Sequence, residues 1–193
     1  MKKLLIVNIV LIFLYMILPE KEIKYKETEK QIETNIEIPL EQIKTKNKPL
    51  FISEKGITLI KQFEGLKLNS YRLEGETNYT IGYGHSSKDI KAGQTITKEQ
   101  AEELLIKDLQ KITNYVLEYC EYLDLTQNEL DALVSFTYNG GGGMLQQLTK
   151  NQTRTKEEIV NHITAYTASN SEKNREGLLK RRLAEKELFL GGN

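Results

Sequence analysis

Side chains that form disulfides or bind soft metals are nearly absent from this chain of 193 residues. It has one cysteine, Cys120, and two histidines, His85 and His162. A single cysteine cannot form a disulfide within the chain, so the fold must depend on its core. Three such side chains are also too few for a four-ligand metal cluster. We therefore expect neither a disulfide nor a metal site.

An excess of charge of either sign is also missing. The chain has 27 basic and 27 acidic residues, so its formal net charge is zero. Proteins that bind nucleic acids need a basic surface that displaces counterions from the phosphates. The balance therefore argues against a nucleic-acid partner.

Proline is rare and glycine is unevenly placed, which divides the chain into zones. All three prolines precede residue 50, and all thirteen glycines follow it. At the start, Lys2 and Lys3 precede an almost wholly apolar run at residues 4–18. Residues 1–19 therefore have the layout of an export signal or a membrane anchor. The run is short for a transmembrane helix, which needs about 17–25 residues, and no signal-peptidase pattern follows it, so cleavage stays open.

The next two zones differ in pattern. Residues 20–50 carry seven acidic and seven basic residues with isolated isoleucines of no sustained period, which is typical of a solvated linker. Residues 51–193 contain 20 acidic and 18 basic residues, a net charge of −2. We expect them to form the working domain.

Helix starts in residues 51–193 are marked by capping residues. Ser53 precedes one apolar-periodic run, and three further segments begin with a capping-box pattern at Thr97 and Gln100, Thr126 and Glu129, and Thr155 and Glu158. These last three helices are expected to reach about residues 120, 138 and 168. The four glycines at 140–143 predict a C-terminal cap at Gly140 and a mobile loop. A last helix carries Arg181 and Arg182 among its leucines.

Between the first two helices the pattern favours strands. Tyr71 and residues 79–83 are rich in β-formers, and Gly75 with residues 77–78 supplies turn residues. A short hairpin or small sheet should therefore follow the first helix. The predicted fold class is α+β, mostly helical, with an additional apolar helix at the N-terminus.

Two neighbouring features suggest chemistry. Glu64 ends the first helix beside Phe63, where a partly desolvated carboxyl could act as a general acid. Residues 79–85, YTIGYGH, alternate glycines with aromatics, which is typical of close approach by a ligand, and tyrosine faces suit sugar rings. A solvated helix-end glutamate and a purely structural aromatic stripe remain alternatives.

The domain resembles the phage-type lysozymes of glycoside hydrolase family 24. The resemblance is carried in family order by FEGLKLNSY, YTIGYGH, DIKAGQTIT, LTQNELDALVSFTYN and GLLKRRLAEKELF, over residues 63–189. It implies a lysozyme-like fold and a muramidase that cuts the β-1,4 bond between N-acetylmuramic acid and N-acetylglucosamine. Such an enzyme would act in host cell lysis or in wall remodelling. The glycine run and the absence of tryptophan depart from the family.

The family's catalytic pattern is a glutamate, eight residues, an aspartate or cysteine, five residues and a threonine. Glu64 matches the glutamate, and Thr80 matches the threonine. The middle position departs, because the residue expected from Glu64 is Leu73. Counting back from Thr80 gives Glu74, with Glu76 as its competitor.

The resemblance also implies the roles of these residues. Glu64 would protonate the leaving glycosidic oxygen, while Glu74 would stabilise the oxocarbenium charge or activate a water held by Thr80. Tyr83 and Asn139 would line the saccharide cleft, although Asn139 could instead cap a helix. His85 is expected to contact an acidic residue, and the two arginines of the last helix to support the fold.

The resemblance further implies a setting. The substrate would be peptidoglycan glycan strands, with no cofactor and a monomeric enzyme. The apolar run at residues 4–18, outside the resemblance, would supply membrane contact. The protein would be exported, anchored or secreted, and would face the periplasm or cell wall. Because the family's aspartate is missing, one alternative is a non-catalytic peptidoglycan-binding module. A second alternative is a membrane-tethered scaffold that uses residues 1–50 as anchor and spacer.

Overall fold

The structure is a computed structural model that describes residues 51–169 and 171–192. The apolar helix expected at residues 4–18 and the linker expected at 20–50 lie outside this range. Among the described residues, no helix combines the length and apolarity that crossing a membrane requires.

Five α-helices and three short strands follow one another in the described chain, with two single 3-10 turns. The α+β prediction, with a small sheet directly after the first helix, is confirmed. The elements are α1 (Glu54–Glu64), β1 (Lys67–Tyr71), β2 (Tyr79–Gly82), β3 (His85–Ser87), α2 (Lys98–Tyr119), a 3-10 turn (Glu121–Leu123), α3 (Gln127–Leu148), α4 (Lys156–His162), a second 3-10 turn (Ile163–Ala165) and α5 (Glu172–Phe189).

The predicted helix starts are confirmed. Ser53 caps α1 by accepting a hydrogen bond from the Gly56 amide, and reciprocal capping boxes at Thr97, Thr126 and Thr155 open α2, α3 and α4. These caps depend on residues three positions apart, which is why the sequence alone identifies them. The ends are less regular, since α4 stops at His162, short of the predicted end near residue 168, and continues as a 3-10 turn.

The glycine run is not a loop, and its left-handed residue is not Gly140. Helix α3 continues through Gly140, breaks at Gly141 (φ 75°, ψ 172°) and resumes to Leu148. The second segment is helical because its apolar residues Leu145 and Leu148 are fully buried in the core. Burial therefore outweighs the low helix propensity of glycine.

The three strands form an antiparallel sheet in the order β1-β2-β3. Lys67 pairs with Gly82 and Tyr71 with Thr80, and the register shifts between these pairs, which marks a bulge. A bulge bends its strand, so β1 curves as it leads into the turn before β2. The opposite edge of β2 pairs with β3, for example Thr80 with Ser86.

Helix α3 is the centre of the core. It packs against α1, α2 and α5, and its residues from Leu130 to Thr137 are all buried. Each Å² of apolar surface that is buried contributes about 25 cal/mol to stability. This packing is therefore the main contribution to the stability of the fold. The helices that carry functional groups are therefore held around one buried axis.

One polar contact fixes α1 on α3. The buried carboxylate of Asp131 accepts hydrogen bonds from the Ser53 amide (2.8 Å) and the Ser53 hydroxyl. Gln127 also donates to Asp131 and to the Phe51 carbonyl. At Gly56 the two helices approach so closely that an added Cβ would lie 2.9 Å from the Asp131 Cβ. The helix that ends at Glu64 is thus held firmly at its start.

Candidate active site

Glu64 is the last residue of α1, where Gly65 (φ 67°) ends the helix. Its side chain is partly buried, and its Oε1 atom accepts a 2.6 Å hydrogen bond from the Arg181 guanidinium. Its Oε2 atom faces the turn between β2 and β3, where a Cβ placed on Gly84 (φ 93°) would lie 3.3 Å away. Only glycine allows the backbone to approach the carboxylate so closely with this φ. The glycine pattern of residues 79–85 predicts close approach by a ligand, and in the structure the group close to Gly84 is the Glu64 carboxylate.

Arg181 is almost fully buried and is held by several partners. Besides Glu64, its guanidinium donates to Glu185 (3.1 Å) and to the Ser135 carbonyl (3.2 Å), and it lies over the Phe63 ring. The expectation that this arginine supports the fold is confirmed. Sequence reasoning missed its direct contact with Glu64, because nothing local indicates which helix faces which.

Two phenols, those of Tyr138 and Tyr71, sense the charge of Glu64, and the sequence does not predict them as site residues. Tyr138 donates a 2.7 Å hydrogen bond to the Tyr83 carbonyl, and burial, together with the charge of Glu64, raises the pKa of its hydroxyl. The pKa of Tyr71 is also raised, by burial and by the charges of Glu76 and Glu64. Both phenols therefore stay protonated near neutral pH and can donate hydrogen bonds.

Thr80 lies in β2, is buried, and pairs across the sheet with Tyr71 and Ser86. The segment that joins β1 to β2 contains a turn centred on Glu74 and Gly75 (φ 85°), both exposed. The fold thus brings Thr80, Tyr71 and this turn into one hairpin directly after Glu64.

Glu76 closes the turn. Its amide donates to the Leu73 carbonyl (3.1 Å), and its carboxylate accepts from the Leu73 amide (3.0 Å). Burial and, to a smaller extent, the charges of Glu76 and Glu64 raise the pKa of Tyr71. Glu74, at the tip of the turn, is exposed.

The two predicted saccharide-contacting residues have other partners. The Tyr83 side chain is 7% exposed and belongs to the core, with the Lys61 ammonium 5.5 Å from its ring centroid. The Asn139 side chain accepts a 2.7 Å hydrogen bond from Arg182. Asn139 does not end its helix, because α3 continues to Gly140 before breaking.

His85 contacts an acidic residue, as expected. Its Nδ1 atom lies 2.6 Å from Asp108 Oδ2, and this partly buried contact joins β3 to α2. The sheet is therefore tied to α2 through β3. Within residues 51–169 and 171–192, no group of three or more His, Cys, Asp or Glu side chains converges to hold a metal ion.

Comparison with known proteins identifies the family of this chain. Residues 61–185 match the family described as phage lysozyme. The chain is 41% identical over 145 residues to an endolysin of Bacillus phage B103, an alignment covering 73% of this chain and 54% of that protein. It is 35% identical over 153 residues to an endolysin of Acyrthosiphon pisum secondary endosymbiont phage 1, covering 72% and 98%. The chain thus spans about half the length of the Bacillus phage relative.

A solved structure also resembles the described fold. The muramidase domain of SpmX from Asticaccaulis excentricus has a TM-score of 0.63 and 35% identity. The match covers 72% of this chain and 97% of that one, so the similarity extends over a complete domain.

Proposed function

This chain belongs to the phage lysozyme family, and from that premise we propose that it is a peptidoglycan hydrolase of the muramidase type. It would cleave the β-1,4 bond between N-acetylmuramic acid and N-acetylglucosamine. The observation that carries the proposal is the setting of Glu64, a partly buried carboxyl held by Arg181 and approached by the backbone at Gly84.

Glu64 acts as the general acid. In its protonated form it donates a proton to the glycosidic oxygen as the bond to the sugar carbon breaks. The carboxylate that remains is stabilised by the Arg181 guanidinium, 2.6 Å from Oε1. An exposed glutamate has no such fixed partner, so the buried arginine also keeps the acid in one orientation.

The turn at residues 73–76 supplies the second carboxylate, which activates a water or stabilises the oxocarbenium charge. The spacing from Thr80 supports Glu74, whereas the hydrogen bond that fixes the Glu76 carboxylate on the Leu73 amide (3.0 Å) supports Glu76. In an inverting enzyme the two carboxyl groups lie about 6.5–9.5 Å apart, which leaves room for a water between them. Thr80, in the strand that follows the turn, would hold that water.

The test is the release of reducing ends from purified peptidoglycan by the wild type and by Glu64→Gln. Loss of a general acid lowers the rate by about 10²–10⁴-fold. Glu103→Gln is the matched control, because it makes the same substitution at an exposed position of α2. Full activity of Glu64→Gln would remove Glu64 from the mechanism. Binding to the wall without any release by the wild type would favour a non-catalytic binding module.

Substrate and location belong to the same proposal. Peptidoglycan strands lie outside the cytoplasm, so the protein is exported and works at the wall. Its proposed form there is a monomer. The apolar run at residues 4–18 after two lysines supports this. Deleting residues 4–18 should move the chain from the membrane fraction of expressing cells to the soluble fraction. An unchanged distribution would contradict anchoring by this segment.

A further inference from the structure

Behind Glu64 runs a row of four charged side chains of alternating sign. Glu64 contacts Arg181, which contacts Glu185, and Glu185 in turn contacts Arg182. The last three are 0–3% exposed. A buried charge is costly unless it is paired, so each member depends on its neighbours.

Glu185 is the centre of this row and has only internal partners. Its Oε1 atom accepts hydrogen bonds from the Ser135 hydroxyl (2.8 Å), Arg181 (3.1 Å) and Arg182 (3.3 Å). Its Oε2 atom lies 2.9 Å from Arg182 Nε, a charge contact without hydrogen-bond alignment. Burial raises the pKa of Glu185, while the two arginines and the serine oppose that shift.

The charge on Arg181 works against the proposed role of Glu64. An arginine 2.6 Å away favours the carboxylate, whereas a general acid must hold its proton. A negative charge on the far side of the same guanidinium weakens this field, and it does so strongly where water is excluded. Glu185 occupies that position. Arg182 contacts Glu185 on its other side, and its positive charge reduces the influence of Glu185 on Arg181.

We propose that Glu185 is a positioning residue that keeps Glu64 able to donate its proton, acting through Arg181, and that Arg182 opposes it. This inference rests on the proposed muramidase function. Neither Glu185 nor Arg182 needs to touch substrate. The two residues would set the pH at which activity falls on the alkaline side.

Other groups that face Glu64 or its neighbours stay constant in the test. They come from α3, β1, the turn, α2 and β3, and none of them is substituted in the variants. These are Tyr138 of α3, Tyr71 of β1, Glu76 of the turn, Asp108 of α2, which acts on Tyr138, and His85 of β3, which pairs with Asp108.

The experiment compares pH profiles of kcat on peptidoglycan for Glu185→Gln, Arg182→Gln and the double variant. Glu185→Gln leaves Arg181 uncompensated, so we expect the alkaline limb to move to lower pH by about one unit. In Arg182→Gln, Glu185 keeps the contacts with Arg181 and Ser135 that favour its carboxylate form. Its charge then acts on Arg181 without the opposing arginine, so the limb should move to higher pH. The double variant should return close to the wild type. KM is measured separately, because Arg182 also holds Asn139.

If Glu185 and Arg182 had a purely structural role, the single variants would lose activity or stability, but their alkaline limbs would not move in opposite directions. Unchanged limbs, or shifts of the same sign in both single variants, would overturn the inference. Unfolding midpoints are measured for each variant. If Glu185→Gln does not fold, Arg182→Gln alone decides, since a limb that stays in place or moves to lower pH contradicts the proposal.

A second readout separates this inference from the proposed function. The Glu64 carboxyl carbon, assigned with Glu64→Gln, can be titrated by NMR in the same variants. Opposite shifts of its titration in a protein that releases no reducing ends would support the charge row and remove the muramidase. If the wild type is active and the Glu64 titration is the same in both single variants as in the wild type, the muramidase function is supported and the role of the charge row is contradicted.

Discussion

At the scale of single residues, Tyr71 lies at the end of β1, between the proposed acid Glu64 and the turn at residues 73–76. It pairs with Thr80 across the sheet, and the charges of both Glu64 and Glu76 raise its pKa. As a protonated phenol at the end of β1, Tyr71 can donate a hydrogen bond to a carboxylate or to a sugar hydroxyl. We therefore expect it to lie near the substrate.

This placement leads to a prediction for the turn. Glu76→Gln should lower the rate of reducing-end release by about 10²-fold or more, because the Glu76 carboxylate, fixed by the Leu73 amide (3.0 Å), would be the second carboxylate of the reaction. Glu74→Gln is the matched comparison, since it makes the same change two residues earlier, and it should stay close to the wild type. The opposite ranking would favour the assignment that follows from the spacing to Thr80.

The single-residue assignments that the sequence predicted are the ones defined by short spacing. The caps at Ser53, Thr97, Thr126 and Thr155 are confirmed because each pairs with a residue three positions away. The contact of His85 with an acidic side chain followed from the family resemblance. Arg181 could not be assigned to Glu64 in this way, because the two are 117 residues apart and meet only through the packing of α1 and α5.

At the scale of elements, the break in α3 shows tertiary packing overriding local propensity. The sequence favours a loop at residues 140–143, since glycine costs about 1 kcal/mol relative to alanine in a helix. The structure needs an unusual backbone only at Gly141, where φ 75° and ψ 172° define a region that glycine alone adopts readily. The other three glycines are helical.

Substitutions at two of these glycines should therefore have opposite effects. Gly141→Ala should lower the free energy of unfolding by about 1–3 kcal/mol, because its Cβ strains the backbone. Gly143 is exposed, helical and has no atom within 4 Å of an added Cβ, so Gly143→Ala should raise stability by about 0.4–1 kcal/mol. Urea unfolding measures both values. Equal effects would mean that the break is not fixed at Gly141.

At the scale of the whole molecule, the small net charge predicts weak long-range attraction to the wall. Residues 51–193 carry a net charge of −2, and surface charges are screened within about 10 Å at 0.1 M salt. We expect KM for peptidoglycan to change by less than about threefold between roughly 0.05 and 0.2 M salt.

A charge variant provides the comparison for this prediction. Replacing the exposed residues Glu103 and Glu118 by lysine raises the net charge of residues 51–193 from −2 to +2. This variant should bind an anionic wall more tightly at low salt and lose that advantage as salt rises. A wild type with a stronger salt dependence than the variant would show that a local charge patch governs binding.

The ion pair between Glu64 and Arg181 also has a consequence for the order of synthesis. A ribosome adds about 5–20 residues per second, so Arg181 follows Glu64 by about 6 to 23 s. By the end of that interval the nascent chain contains the acid, the hairpin and most of the core, but still lacks the arginine that holds the acid. The proposed activity therefore begins only after α5 has emerged and docked, and translation itself delays the first cut in the wall.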